Sequence, residues 1–353
     1  MSLDCFLKSV ETMDKSSSIS KSKELFSDTY FIANQIGTGA FGKIYNISSK
    51  TDPIQKYAAK VVPLPKSFLE KETDLDKETQ ILQTLVQEPG FPKVIDHLIE
   101  ANNEILVMSL LGDNLAHLHR QCGSKFSLKT ILLLALQILK RIEALHSHGM
   151  LHRDLKPENL VIGASKSDDT MIYLIDFGLS TPYLDAQNKH VAFNKKGKVS
   201  GTLYYLSVFG HLGIQASRRD DLISFGYLLI HLFKGGLPWI DLPGDLHEKV
   251  KKMYQMKSTM SYETLCDGLP KEFCEYFRYV LNMPFFQNPN YSFMEDLFKK
   301  MLEEIGAKED GFFDWMKVEN KGIDLNGRKI MKESLNSYMK KMDSDTFVDM
   351  DLC

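Results

Sequence analysis

No two of the five cysteines (Cys5, Cys122, Cys266, Cys274 and Cys353) form a CxxC pair, and none has metal-ligand spacing to a histidine. A disulfide framework and a structural zinc site are thereby excluded, and the thiols read as the reduced cysteines of an intracellular protein. Long hydrophobic runs are missing as well. The most apolar stretch, 131–136, is interrupted soon afterwards by Gln137, Lys140 and Arg141, far short of the roughly 20 residues a membrane span requires. Charge of one sign is also absent: 43 Lys and Arg against 46 Asp and Glu leave a formal net charge of −3, so nothing global favours nucleic acid or an anionic membrane. Residues 1–5 lack the glycine of a myristoylation signal and the basic-then-apolar order of a secretory leader, and Cys353, as the last residue, cannot serve a prenylation box. The expectation is a cytoplasmic or nuclear protein with no nucleic-acid and no membrane partner.

What is present is enough apolar material, 43% of 353 residues, to bury the core of one large two-lobed domain or two small ones. Residues 1–27 are rich in Ser and Lys and read as a flexible extension. Strand patterns follow over 30–36, 43–48 and 56–62, a helix over 70–87, and strands over 94–99 and 105–109. After Gly112 the character becomes helical. Ser127 is placed to cap a helix through residue 146, short strands are predicted at 160–162 and 171–175, and helices near 221–233, 271–281 and 292–305. The domain is expected over 28–316, as a β-rich lobe (28–110) and a helical lobe (113–316) with a hinge near 110–113. The tail 317–353 reads either as a further helix packed on the body or as a loose appendix.

Four clusters carry chemistry. Gly37-Thr38-Gly39-Ala40-Phe41-Gly42 lies between two predicted strands, so it is a glycine-rich hairpin in which Gly37, Gly39 and Gly42 let backbone N–H groups approach phosphate oxygens. Lys60 interrupts an apolar strand; a buried ammonium needs a counter-charge, and Glu78 on the next helix suits better than Glu70 or Glu72 near the helix start. Asp154 and Asn159 stand five residues apart in His152-Arg153-Asp154-Leu155-Lys156-Pro157-Glu158-Asn159, and Asp176-Phe177-Gly178 ends a later strand. Phosphoryl transfer depends on positioning and charge neutralisation. Asp154 suits the proton of an acceptor hydroxyl, Asn159 and Asp176 suit magnesium, and Lys156 suits the transferring phosphoryl group. Asp221 opens an apolar helix as an N-cap and is expected to tie down the 152–154 backbone.

With these residues the chain resembles the eukaryotic protein kinases and, more narrowly, the casein kinase I family of Ser/Thr kinases. The narrower resemblance rests on Gly201-Thr202-Leu203-Tyr204-Tyr205, the stretch from His211 to Leu222, Leu237-Pro238-Trp239, residues 126–130 and residues 289–293. Like that family, the chain lacks the Ala-Pro-Glu that follows the activation segment of most kinases. The resemblance implies an α+β bilobal kinase fold, ATP and Mg2+ as cofactors, adenine contacts near Leu111 with Met108 as gatekeeper, and Lys156 and Thr202 bridging to Asp154. It further implies protein substrates with acidic or phosphorylated recognition residues, and by analogy a monomer.

The sequence offers its own basis for that preference. Residues 186–200 contain no acidic side chain but carry Lys189, His190, Lys195, Lys196 and Lys198, with Arg218 and Arg219 beyond. Clustered cations beside a substrate attract phosphate or carboxylate, so Lys195, Lys196, Lys198, Arg218, Arg219 and Lys249 form the expected anion site. Departures from the family are Asn194 in place of an arginine, Ser109 in place of a hinge carboxylate, and Leu203 and Leu206, expected to narrow or reshape the substrate groove. The competing readings are a non-catalytic kinase-fold scaffold, disfavoured because Lys60, Asp154, Asn159 and Asp176 are all present, and a small-molecule kinase.

Overall fold

The computed structural model describes residues 24–25, 29–39, 42–64, 72–195 and 197–319. Most of the N-terminal extension, the tail beyond 319, the hairpin tip 40–41, Glu70 and Lys196 lie outside the described residues. The chain divides into two compact units, Met1–Gln83 with Pro92–Leu110, and Thr84–Phe91 with Leu111–Cys353.

In the first unit β1 (Glu24–Leu25), β2 (Tyr30–Gly39), β3 (Gly42–Ser49), β4 (Lys56–Pro63), β5 (Val94–Glu100) and β6 (Asn103–Ser109) form one antiparallel sheet in the order β1-β2-β3-β4-β6-β5. Residues 24–25 pair with Phe31 and Ile32, so two residues assigned to the flexible arm extend the sheet edge. Strand alternation puts Tyr45 and Ile47 of β3 inward to meet Tyr30, Ala59, Ile105 and Val107. The helix α1 (Asp74–Thr84) is shorter than the 70–87 pattern and buries Leu75, Glu78, Ile81 and Leu82. Residues 84–91 belong to the second unit because Gly90 accepts the N–H of Leu174 and Phe91 packs near Phe177.

The second unit contains β7 (Leu111–Asn114), α2 (Leu115–Gln121), α3 (Leu128–Ser147), β8 (Met150–Leu151), β9 (Leu160–Gly163), β10 (Ile172–Leu174), β11 (Thr181–Pro182), α4 (Val208–His211), α5 (Arg218–Lys234), α6 (Leu246–Thr259), α7 (Tyr262–Leu265), α8 (Lys271–Leu281), α9 (Tyr291–Glu304) and α10 (Asp314–Glu319). Ser127 caps α3 by accepting the N–H of Thr130. Both α3 and α5 are apolar round most of their circumference, as helices at the centre of a bundle must be. Phe225 of α5 meets Tyr276 and Phe298 edge-on, and Tyr227 packs against Trp239 and Phe277. Each such buried ring contributes on the order of 2 kcal/mol by area alone. The two small sheets β10-β9-β7 and β11-β8 frame the loops that carry the motifs. Among the described residues no helix is long and apolar enough to cross a membrane.

His119 and His231 lie edge to face inside this unit, ring centroids 5.7 Å apart. Burial pushes each imidazole down to about 4, and each ring has a neighbouring base, Arg120 or His119, that lowers it further. The unfolded chain protonates its histidines near about 6.5, so below that pH the unfolded state binds more protons than the folded one. The stability tied to these neutral rings is full above about pH 6.5 and is lost as pH falls towards 4. We expect the melting temperature to decline across that window, less steeply in His231→Phe. A melting temperature that stays flat from pH 6.5 to 4.5 would contradict the neutral burial of the pair.

Candidate active site

The loop after β8 is held from beneath by one carboxylate. Asp221 sits in the first turn of α5, where the helix dipole favours an anion, and is almost fully buried. Its Oδ2 accepts the N–H of His152 and its Oδ1 that of Arg153, each at 2.8 Å. His146 Nε2 approaches Oδ2 at 2.9 Å, and the Tyr291 hydroxyl lies 2.6 Å from His146 Nδ1. Burial raises the Asp221 carboxyl, but His146, His152 and the Arg153 amide outweigh it and leave it below the usual carboxylate range. Burial pushes His146 down, and Asp221 opposes that without reversing it. One neutral tautomer therefore serves both contacts: Tyr291 donates to Nδ1, and Nε2–H donates to Asp221.

That anchorage supports an unfavourable backbone. Arg153 has φ 69, a left-handed conformation that costs a non-glycine residue roughly 1–2 kcal/mol. Gly201, at φ 112, approaches so closely that a Cβ there would stand 2.6 Å from the Arg153 carbonyl oxygen. Only glycine permits this, and it brings Thr202 to the loop. Thr202 donates its N–H (3.0 Å) and hydroxyl (2.7 Å) to Asp154 Oδ1. Lys156 Nζ lies 2.6 Å from Asp154 Oδ2 and 3.3 Å from Thr202 Oγ1. Asn159 Nδ2 donates to the Asp154 carbonyl (2.9 Å) and to Oδ2 (3.2 Å). Burial works against the Lys156 charge, but Asp154, with Glu158 and Asp176, more than compensates and raises it.

Asp176 is brought beside this set by main-chain bonds. Ile175 donates its N–H to the Asn159 carbonyl at 3.0 Å, and His152 Nε2 lies 3.1 Å from the Ile175 carbonyl. Phe177 is buried against His152, centroids 5.3 Å apart, and Asp176 itself adopts φ 66. The donor chemistry fits magnesium. The Asn159 amide nitrogen is committed to Asp154, which leaves its carbonyl oxygen as the ligand atom, and Asp176 adds a carboxylate, both oxygen donors of the kind a hard cation takes.

In the first unit Lys60 Nζ meets Glu78 Oε2 at 2.6 Å, with both side chains buried. Glu72 accepts from Gln80 instead. Gly39 and Gly42 close the β2–β3 hairpin, and a Cβ on Gly42 would stand 2.5 Å from the Val61 carbonyl oxygen. Gly37 faces Ile44 in the same ladder. Met108 is half-buried in β6 between Ala58 of β4 and Val94 of β5. Leu111, in the second unit, pairs with Gly163.

The expected anion site is only partly available. Lys195 and Lys198 are exposed and Lys249 is half-buried on α6; Lys196 lies outside the described residues. Arg218 and Arg219 must be withdrawn. Arg218 is buried over the Tyr183 ring and hydrogen-bonds its hydroxyl and the Phe286 carbonyl. Arg219 stacks on Phe209 and donates to the Met283 carbonyl. Both guanidiniums hold the helical body together, because the first turn of α5 faces inward. Leu203 is also buried, so it does not narrow a groove by its side chain. Sequence reasoning overlooked His146 and Tyr291, which complete the Asp221 anchorage, and a buried lysine, Lys257, considered below.

A family model described as protein kinase domain matches residues 30–306. The chain belongs to the protein kinase family. It is similar to Casein kinase I homolog 2 of Schizosaccharomyces pombe, with 36% identity over 293 residues that cover 81% of this chain and 66% of the relative. The match thus spans just under two thirds of that relative's length. Within the kinases, the chain is a casein kinase I family member.

Replacing Asp221 by Ala leaves the His152 and Arg153 amides without their acceptor. We expect a loss of stability of about 2–5 kcal/mol in urea unfolding, and faster hydrogen exchange at residues 152–153. Unchanged exchange there would show that something other than Asp221 holds the loop.

Proposed function

We propose that this chain is an ATP- and Mg2+-dependent Ser/Thr protein kinase of the casein kinase I type that transfers the γ-phosphate to Ser or Thr hydroxyls of proteins. The observation that carries the reading is the occupancy of one carboxylate: Asp154 is engaged at once by Lys156, Thr202 and Asn159. A carboxylate so constrained is pre-oriented. An acceptor hydroxyl approaching it shares an oxygen with Lys156 or Thr202, so the proton leaves towards Asp154 while the Lys156 ammonium stands beside the oxygen that is being phosphorylated. Magnesium, when bound, neutralises phosphate charge, and Asn159 and Asp176 are the residues that would hold it. Lys60, oriented by Glu78, would pair with the α- and β-phosphates. Similarity to a casein kinase I homolog supports the same assignment.

Asp176→Ala should reduce phosphate transfer to a peptide by about 10^3-fold or more while the protein remains folded, and Mg-ATP should raise the melting temperature of the unaltered chain. A folded chain that gains no stability from Mg-ATP and transfers no more phosphate than Asp176→Ala would favour the non-catalytic scaffold.

The proposed substrates carry acidic or phosphorylated residues near the target. Support comes from Lys195 and Lys198, both exposed in a segment whose backbone is pinned by Gln215 N–H to Asn194 O (2.8 Å) and Gly197 N–H to Gly213 O (2.6 Å). In a positional-scanning assay, acidic or phospho-primed peptides should outperform neutral ones. The double charge reversal Lys195→Glu, Lys198→Glu should raise KM for the acidic peptide about tenfold and leave a neutral peptide within about twofold. Equal losses on both peptides would dissociate these lysines from recognition.

A further inference from the structure

The segment after Thr202 has no Ala-Pro-Glu to anchor it, yet its carbonyls are held one by one from the interior. Lys257, on α6, is buried, and its Nζ donates to the carbonyls of Leu203 and Leu206, each at 2.8 Å. His211 Nε2 lies 3.1 Å away. The Tyr227 and Trp239 rings stand 5.2 and 5.0 Å from the ammonium, a distance at which ring faces stabilise a cation. Trp239 in turn donates its indole N–H to the Tyr204 carbonyl at 2.8 Å.

No carboxylate among the described residues pairs with Lys257, and burial pushes its pKa well down. What offsets that penalty is stoichiometry: an ammonium has three N–H bonds, and three acceptors surround this one. His211 can be the third because burial, reinforced by Lys257, pushes its imidazole down to about 2 and keeps the ring neutral. An apolar side chain of similar length would fill such a site at no electrostatic cost, and swaps of that kind at buried ionic groups are often neutral or stabilising. A lysine here therefore does something that packing alone does not.

We propose that Lys257 is a positioning residue for the acceptor side of the reaction, fixing the 203–206 backbone on which a polypeptide substrate rests and, through Thr202, the geometry around Asp154. The link is short: the Thr202 carbonyl accepts the N–H groups of Tyr205 and Leu206 (3.0 and 3.1 Å), and Thr202 donates twice to Asp154. The inference rests on the protein kinase reading, and its test separates the two.

Lys257→Met keeps the length and removes the N–H donors. Hydrogen–deuterium exchange should become at least about fivefold faster over residues 202–206, whether or not the chain is an enzyme, and unchanged exchange there overturns the inference. In steady-state assays the variant should raise KM for peptide and lower kcat, together costing about 30-fold in kcat/KM, while KM for ATP moves by less than about twofold. Peptide kinetics within twofold of the unaltered chain, or parallel losses for peptide and ATP, would sink it. If Lys257→Met does not fold, Trp239→Phe removes the N–H to Tyr204 together with part of the ring that faces Lys257, and should give the same pattern at about a third of the size. Phosphate transfer absent from the unaltered chain defeats the kinase reading but not the exchange result.

Discussion

Both carboxylate oxygens of Asp221 are spent on main-chain N–H groups of the loop that bears Asp154, and the rest of the site is arranged around that commitment. With the two amides held, Arg153 can keep a left-handed backbone, and its carbonyl lies where Gly201 closes against it. Thr202 then reaches Asp154 with two donors. Asp221 is itself kept in place by His146 and, one bond further, by Tyr291 at the start of α9. Three helices thus contribute to one loop conformation, and none of the three side chains that do so is proposed to take part in chemistry.

Buried lysines show how the two units handle charge. Lys60 is matched by the carboxylate of Glu78. Lys156 shares Asp154 with Thr202 and Asn159, a crowded arrangement that leaves the carboxylate oriented but not inert. Lys257 has carbonyls, a neutral imidazole and two aromatic faces in place of an anion. The first two arrangements hold a cation where nucleotide phosphates are proposed to be. The third uses a cation as a cross-brace for main chain, a task for which three diverging N–H bonds suit better than any neutral side chain.

The proposed catalytic set was legible because its spacing is local. His152 to Asn159 and Asp176 to Gly178 are short strings, and the isolated lysine in an apolar strand called for a partner one helix away, which Glu78 supplied. Ser127 was legible as a cap for the same reason. Arg218 and Arg219 misled because charge patterning says nothing about which way the first turn of a helix faces, and here it faces the aromatic interior of the second unit. Lys257 was hidden by its neighbours: Lys249, Lys251 and Lys252 make α6 look like a solvated basic helix, and the buried Met253 one turn earlier was the faint sign of an inward face. The short helices α2, α4 and α7 were missed because four to seven residues carry too little periodicity to register, and the 14-residue α6 was missed because its apolar positions are scattered among lysines and polar residues.

The segment after α9 carries the folded body beyond the family match. The family match stops at residue 306, but Asp314 accepts the N–H of Ser127 at 2.6 Å and donates its own N–H to the Thr130 hydroxyl at 3.1 Å, while Trp315 stacks on Phe313 and leans on Phe126. Phe313 and Trp315 are among the most deeply buried rings of the chain. A polypeptide cut at the family boundary would bare the start of α3 and the Phe126 ring together. The smallest piece able to stand alone therefore runs past Trp315, and the edge inherited from relatives is not the edge set by packing.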